Sequence, residues 1–196
     1  MECQGDFMLS DFHVHSNCSP DARDSMLDMA RAAKAAGIGV LCFTDHCDID
    51  DFPEAHVDPN CFAFWPEALR QFDALRGQGV KGLDLRLGIE LGEANHCPEL
   101  AKTVAARGEL DFVLGSVHNL RDTQDFYILR YESEAHCAAL LERYLDELRA
   151  LAYTDLDQSI LVGIDFTIGE LVQGGKPIHP DTTACRNEII LKRPKG

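Results

Sequence analysis

The stretch "IGVLCFTDH", residues 38–46, decides the fold. From Ile38 to Phe43 it is uncharged and apolar without alternation, the pattern of a strand covered on both faces, as in a parallel sheet packed by helices. It then turns abruptly polar at Thr44, Asp45 and His46. Upstream, "DSMLDMARAAKAAG" (24–37) predicts a helix: Ser25 caps it, Asp28 completes a capping box, and Gly37 stands where a helix stops. Before that helix, "FMLSDFHVH" (7–15) predicts a first strand. Downstream the alternation continues. Residues 48–64 are rich in Asp and Pro and predict a long loop. Helices are expected at 66–79, 97–108 and 133–152, and strands at 83–93, 110–119 and 159–169. The helix at 133–152 carries Leu141, Tyr144, Leu145, Leu148 and Leu151 as one apolar stripe, and Leu141, Leu145 and Leu148 are expected to be buried. Strand and helix in alternation predict an α/β fold with a parallel sheet, open or closed, in a single domain over 1–196. Past Gly169 the pattern fades, and 170–196 read as divergent or truncated.

Composition narrows the function classes. With 45% hydrophobic and 26% charged residues the chain supports one sizeable core. A formal charge of −15 opposes a surface that tracks a phosphate backbone, so no nucleic-acid partner is expected, whereas divalent cations suit it. No run approaches about 18 apolar residues, and the N-terminus lacks a basic region followed by an apolar one. The expectation is a cytoplasmic protein with no membrane association. The eight cysteines include no CxxC pair, which disfavours a zinc ribbon. Cys47 and Cys97 each follow a histidine, leaving either a ligand or a buried thiol open.

Four predicted strands end in residues able to bind metal: His13 and His15, then Asp45 and His46, then Glu90, then His118. In a parallel α/β fold all carboxyl ends lie on one face, so these residues are expected to converge. On a strand His13 and His15 point the same way and Val14 the other. Neutral imidazoles with a carboxylate suit zinc, iron or manganese, and a carboxylate can bridge two ions. Asp11 and Asp45 are open to two roles, orienting an imidazole or remaining plain solvated acids.

At this point the residues carry a resemblance. "DFHVHSNCSPDA", "FTDHCDIDDFP", "LGIELGE" and "DFVLGSVHNLRDTQDFY" resemble the successive motifs of the PHP superfamily, named for polymerase and histidinol phosphatase, and are most similar to its histidinol-phosphatase branch. The resemblance covers about residues 9–150. It implies a distorted seven-stranded (β/α) barrel holding up to three divalent ions and hydrolysing phosphate monoesters, histidinol phosphate foremost, with hydroxide drawn from a metal-bound water. It also implies His13 and His15 as ligands of a first ion, Glu90 as a bridge to a second, His118 on the second, and Asp21 and His46 on a third. Asp21 also fits a helix cap.

The departures are equally legible. The family pattern G-H-x-D is met here by "VGID" (162–165) without its histidine, and no final D-x-H motif follows. His179, in "PIHPD", is a substitute or a loop histidine. One ligand per ion is thus expected to be missing, the barrel to be incomplete at its C-terminal end, and phosphatase activity of residues 1–196 by themselves to be weak. Two further readings stand beside the phosphatase: an exonuclease or polymerase-associated member, and an inactive metal-binding or structural module.

Overall fold

The structure is a computed structural model that describes residues 8–50, 56–154, 156, 160–162, 172–173, 176–177 and 190–191. Its elements run β1 (Leu9–Val14), α1 (Met26–Ala35), β2 (Ile38–Phe43), β3 (His46–Asp50), β4 (His56–Val57), α2 (Pro59–Gln78), β5 (Asp84–Gly92), α3 (Pro98–Ala105), β6 (Phe112–Ser116), α4 (Glu134–Tyr153), β7 (Ile160–Val162), β8 (Val172–Gln173), β9 (Lys176–Pro177) and β10 (Ile190–Leu191). The main sheet is ordered β1-β2-β5-β6-β7-β10. Its pairings are parallel from β1 through β7, and β10 returns antiparallel on β7. The α/β class read from the sequence holds.

Alternation along β5 separates two environments. Leu87, Ile89 and Leu91 point to the helices, where Leu87 joins Met26, Ala30, Phe72 and Leu75 of α1 and α2. Ile89 and Leu91 join Ala101, Ala105, Leu140, Tyr144 and Leu148 of α3 and α4. Gly88, Glu90 and Gly92 point the other way, into the concave side of the sheet. That sheet is strongly curved. Phe12 on β1 and Phe112 on β6 meet edge-on with centroids 5.1 Å apart, although three strand steps would separate them by about 14 Å in a flat sheet.

Three expectations need correction. The strand read as ending at His46 breaks at Thr44 and Asp45 and resumes as β3, which pairs with the second half of β5 as His46↔Glu90, Cys47↔Leu91 and Asp48↔Gly92. The loop predicted at 48–64 therefore contains most of β3, all of β4 and the first turns of α2. That helix starts at Pro59, which suits a first turn because its missing N–H has no partner there, and it carries Pro66 inside at the expense of one backbone bond. On α4 the buried residues are Cys137, Leu140, Tyr144, Leu148 and Leu151. Leu145 is 43% exposed and Leu141 only half-buried. The buried stripe centres on Tyr144, which meets Phe126 edge-on at 5.5 Å, and Leu145 lies about 100° further round the helix.

Candidate metal centre

Backbone and buried hydroxyls build the cluster's floor. Thr44 N–H donates to the carbonyl of Val14 (2.8 Å) and Glu90 N–H to that of Asp45 (3.0 Å), so the ends of β1, the β2–β3 break and β5 are tied at one level. Asp45 is buried and accepts from the Ser16 N–H (2.7 Å), the Ser16 hydroxyl (2.8 Å) and the Ser19 hydroxyl (2.7 Å). Ser19 in turn accepts the His46 N–H at 3.0 Å. Asp45 thus fixes the loop after β1 and orients no imidazole, contrary to one of its two expected roles. Asp11 likewise accepts the backbone N–H of His13, at 3.2 Å, rather than a ring N–H.

The five other residues singled out as metal ligands gather about Glu90, which is fully buried, four of them directly and Asp21 by way of His15 and His46. His13 Nε2 lies 3.3 Å from Glu90 Oε1 and His15 Nε2 3.0 Å from Oε2. His46 Nδ1 lies 3.3 Å from Oε2 and His118 Nε2 3.2 Å from Oε1. Asp21 Oδ2 sits 2.9 Å from His15 Nδ1 and 3.6 Å from His46 Nε2. The Ser116 hydroxyl donates to Glu90 Oε1. Two residues were missed. Asp48 Oδ1 lies 3.1 Å from His118 Nδ1 and 3.6 Å from His46 Nδ1. Its signal was the i, i+2 spacing from His46, which means a shared face only once residues 46–50 are known to be a strand. Glu93 is buried after β5 with φ of 55° and accepts the N–H groups of His118 (2.5 Å) and Asn119 (3.2 Å), so it holds the His118 backbone; no sequence spacing marks it.

Cys47 points to the helix side, opposite His46 and Asp48, and packs on the core of α3 and α4. Burial pushes its thiol up to about 12. Cys97 packs there too. Both are half-buried thiols packed on that core, and neither belongs to the groupings that could hold an ion among the described residues. His179 and the "GID" at 163–165 lie outside the described residues. A cavity of about 440 Å³ lined by Arg76, Val80, Lys81, Asp84, Arg86 and Asp111 lies at the amino end of β5 and shares no residue with the cluster.

The electrostatics are those of a cation cradle. Burial by itself would raise the Glu90 carboxyl, but the imidazoles of His118, His13 and His15 beside it hold it well below the usual carboxylate range. Burial lowers His15, yet the adjacent carboxylates of Glu90 and Asp21 raise it to about 9. Burial opposes the charged form of His118 as well, and Asp48 and Glu90 outweigh it, leaving that ring well above its ordinary value. The fit to metal rests on a more local observation: His15 Nε2, His46 Nδ1 and Glu90 Oε2 are buried and make no hydrogen bond, although the two nitrogens stand 3.0 and 3.3 Å from that oxygen. They face one another without hydrogen-bond alignment. Ligands about 2.0–2.2 Å from a shared tetrahedral ion sit about 3.3–3.5 Å from each other, so the donor set fits. Three groupings could each hold an ion: His13, His15 and Glu90; His15, Asp21 and His46; and His46, Asp48 and His118. They share His15 and His46. A neutral imidazole has one lone pair, so all three cannot be filled at once with every member ligating.

Known proteins carry the same arrangement of chain. The chain is 26% identical over 136 residues to a histidinol-phosphatase of Lactococcus lactis, an alignment covering 67% of this chain and 49% of that protein. It is 30% identical over 112 residues to a probable histidinol-phosphatase of Deinococcus radiodurans, covering 57% and 43%. The chain therefore spans about half or less of the length of these relatives. A crystal structure of histidinol phosphate phosphatase from Lactococcus lactis, in complex with zinc, L-histidinol and phosphate, superposes with a TM-score of 0.56 at 22% identity, over 74% of this chain and 55% of that one. That likeness shows the shared fold. Residues 11–172 match the model of the PHP domain, and with most of its length so matched this chain belongs to the PHP family.

Proposed function

We propose that this chain is a divalent-metal-dependent phosphomonoesterase that hydrolyses L-histidinol phosphate to histidinol and phosphate. The observation that carries the reading is the buried Glu90 carboxylate ringed by four imidazoles at 3.0–3.3 Å. His13, His15, His46, Glu90 and His118 would hold the ions, zinc, manganese or iron, with Asp21 either ligating or bracing His15. Divalent ions, when bound, supply positive charge against phosphate oxygens and acidify a water. The chain's own groups set that arrangement. Ser116 pins one oxygen of Glu90, Glu93 fixes the backbone of His118, and the Asp45 network holds Ser16, Ser19 and the amide of His46. The Ser116 hydroxyl is no nucleophile, because it is committed as a donor to the Glu90 carboxylate.

The exonuclease reading has less support, because a charge of −15 repels a phosphodiester strand. The test is phosphate release from L-histidinol phosphate by the purified chain with added zinc or manganese. Release that needs the metal and falls at least about 100-fold in Glu90→Gln is expected, a loss within the range ascribed to one electrostatic group. Release no faster than in metal-free controls, or faster turnover of a single-stranded oligonucleotide, would refute the proposal.

A further inference from the structure

The geometry points to Asp48 as a direct ligand of a metal ion held with His46 Nδ1 and His118 Nδ1, a set that leaves His118 Nε2 and its proton to Glu90, in space that Gly92 keeps open. This deepens the proposed metal-dependent reading and rests on its metal centre. The resemblance to the family assigns Asp48 no role, and the sequence left the second ion with only Glu90 and His118.

Three observations support the assignment. The register Asp48↔Gly92 sets Asp48 one pleat beyond the His46↔Glu90 pair, on the same concave face. Its Oδ1 is then 3.1 Å from His118 Nδ1 and 3.6 Å from His46 Nδ1, spacings that bracket the separation of neighbouring ligands on one ion. His46 Nδ1 is buried without a hydrogen bond while facing both Asp48 and Glu90. A cation held beside Asp48 gives that nitrogen a partner. Finally, a Cβ on Gly92 would stand 2.3 Å from Asp48 Oδ1 and 3.0 Å from His118 Nδ1. Position 92 has a negative φ, so the glycine serves here for clearance and not for backbone conformation. With His46 giving Nδ1 to this ion, its other nitrogen keeps a proton and faces Asp21.

The alternative is that Asp48 only accepts a proton from His118 Nδ1, bracing a ligand without touching metal. Cobalt separates the two. In Asp48→Cys a thiolate inside the coordination sphere adds a sulfur-to-cobalt charge-transfer band to the absorption spectrum, which a bracing position cannot produce. The 196-residue chain, its Asp48→Ala, Asp48→Cys and Gly92→Ala variants are loaded with cobalt or zinc, dialysed and measured for metal per chain, with near-ultraviolet circular dichroism confirming native packing. Asp48→Ala should lose one equivalent relative to the unsubstituted chain, Gly92→Ala should lose the same one, and Asp48→Cys should retain it and gain the new band. Full metal content in Asp48→Ala, or a loaded Asp48→Cys without the band, overturns the assignment. Should Asp48 prove a ligand in a chain that releases no phosphate from histidinol phosphate, the phosphatase reading fails and this inference stands.

Discussion

Glu90 sits at the centre of the cluster because β5 delivers it, fully buried, to a point that β1, β3 and the segment after β6 also reach. Burial opposes its charge, and the surrounding imidazoles more than offset that. Converting it to the neutral isostere keeps the shape and removes the charge, so Glu90→Gln should lose the cation-dependent rise in melting temperature. The unsubstituted chain should gain about 2.7 kcal/mol at a cation concentration 100 times Kd. Thermal unfolding with and without zinc or manganese measures this, and an undiminished rise in Glu90→Gln would remove Glu90 from the ligand set. At this scale the sequence made His13, His15, Asp21, His46, Glu90 and His118 visible by type and by position at strand ends. It hid Asp48 and Glu93, one because its strand was read as loop, the other because its bonds are to backbone amides 25 and 26 residues away.

At the scale of elements, α4 shows how a correct periodicity can carry a wrong face. Its helical period was legible, and in the structure Ser133 caps it by accepting the N–H of His136 at 3.1 Å. The buried face was not, because Leu140, Leu141, Leu145 and Leu148 allow two overlapping stripes and only the packing of Tyr144 against Phe126 selects one. Leu148→Ala should therefore cost about 2–5 kcal/mol, and Leu145→Ala within about 0.5 kcal/mol. Urea unfolding of the two variants checks this; equal losses would mean that Leu145 is covered. The β2–β3 break has the same character. Thr44 and Asp45 read as the end of a strand because they are polar, yet their polarity serves internal bonds, and the chain resumes pairing one residue later.

For the whole molecule, the metal-free cluster is a store of protons. His15, raised to about 9 from an ordinary 6.5, is charged at neutral pH when folded. A raised histidine stabilises the fold fully below its unfolded value, and that contribution disappears as pH climbs from about 6.5 through about 9. A cation needs the neutral ring and competes with the proton. Zinc affinity should thus rise between about pH 6.5 and 9, with protons released on binding. Calorimetry in buffers of different ionisation enthalpy measures both; affinity flat across that window would show that His15 does not ligate. In the other direction, Glu90 and Asp21 are both held low, so the stability they add is present above their unfolded values and is lost on acidification. No helix among the described residues is long and apolar enough to cross a membrane.

The sequence by itself determined the α/β class, the alternation of strands and helices through α4 apart from β3 and β4, and six of the residues gathered at the carboxyl ends of the strands. It could do so because those properties are local: an unbroken apolar run, a cap, a 3.6-residue period, a change from apolar to polar at a strand end. What only the tertiary structure decided depends on curvature and register. The concave bend brings β1 and β6 side chains into contact across the two strands between them, and through it His13 and His118 both reach Glu90. The pairing of Asp48 with Gly92 places a carboxylate over the one position with no side chain to displace it. A one-residue slip in that register would turn Asp48 into the helix core and Cys47 toward the ions, because successive residues of a strand face opposite ways.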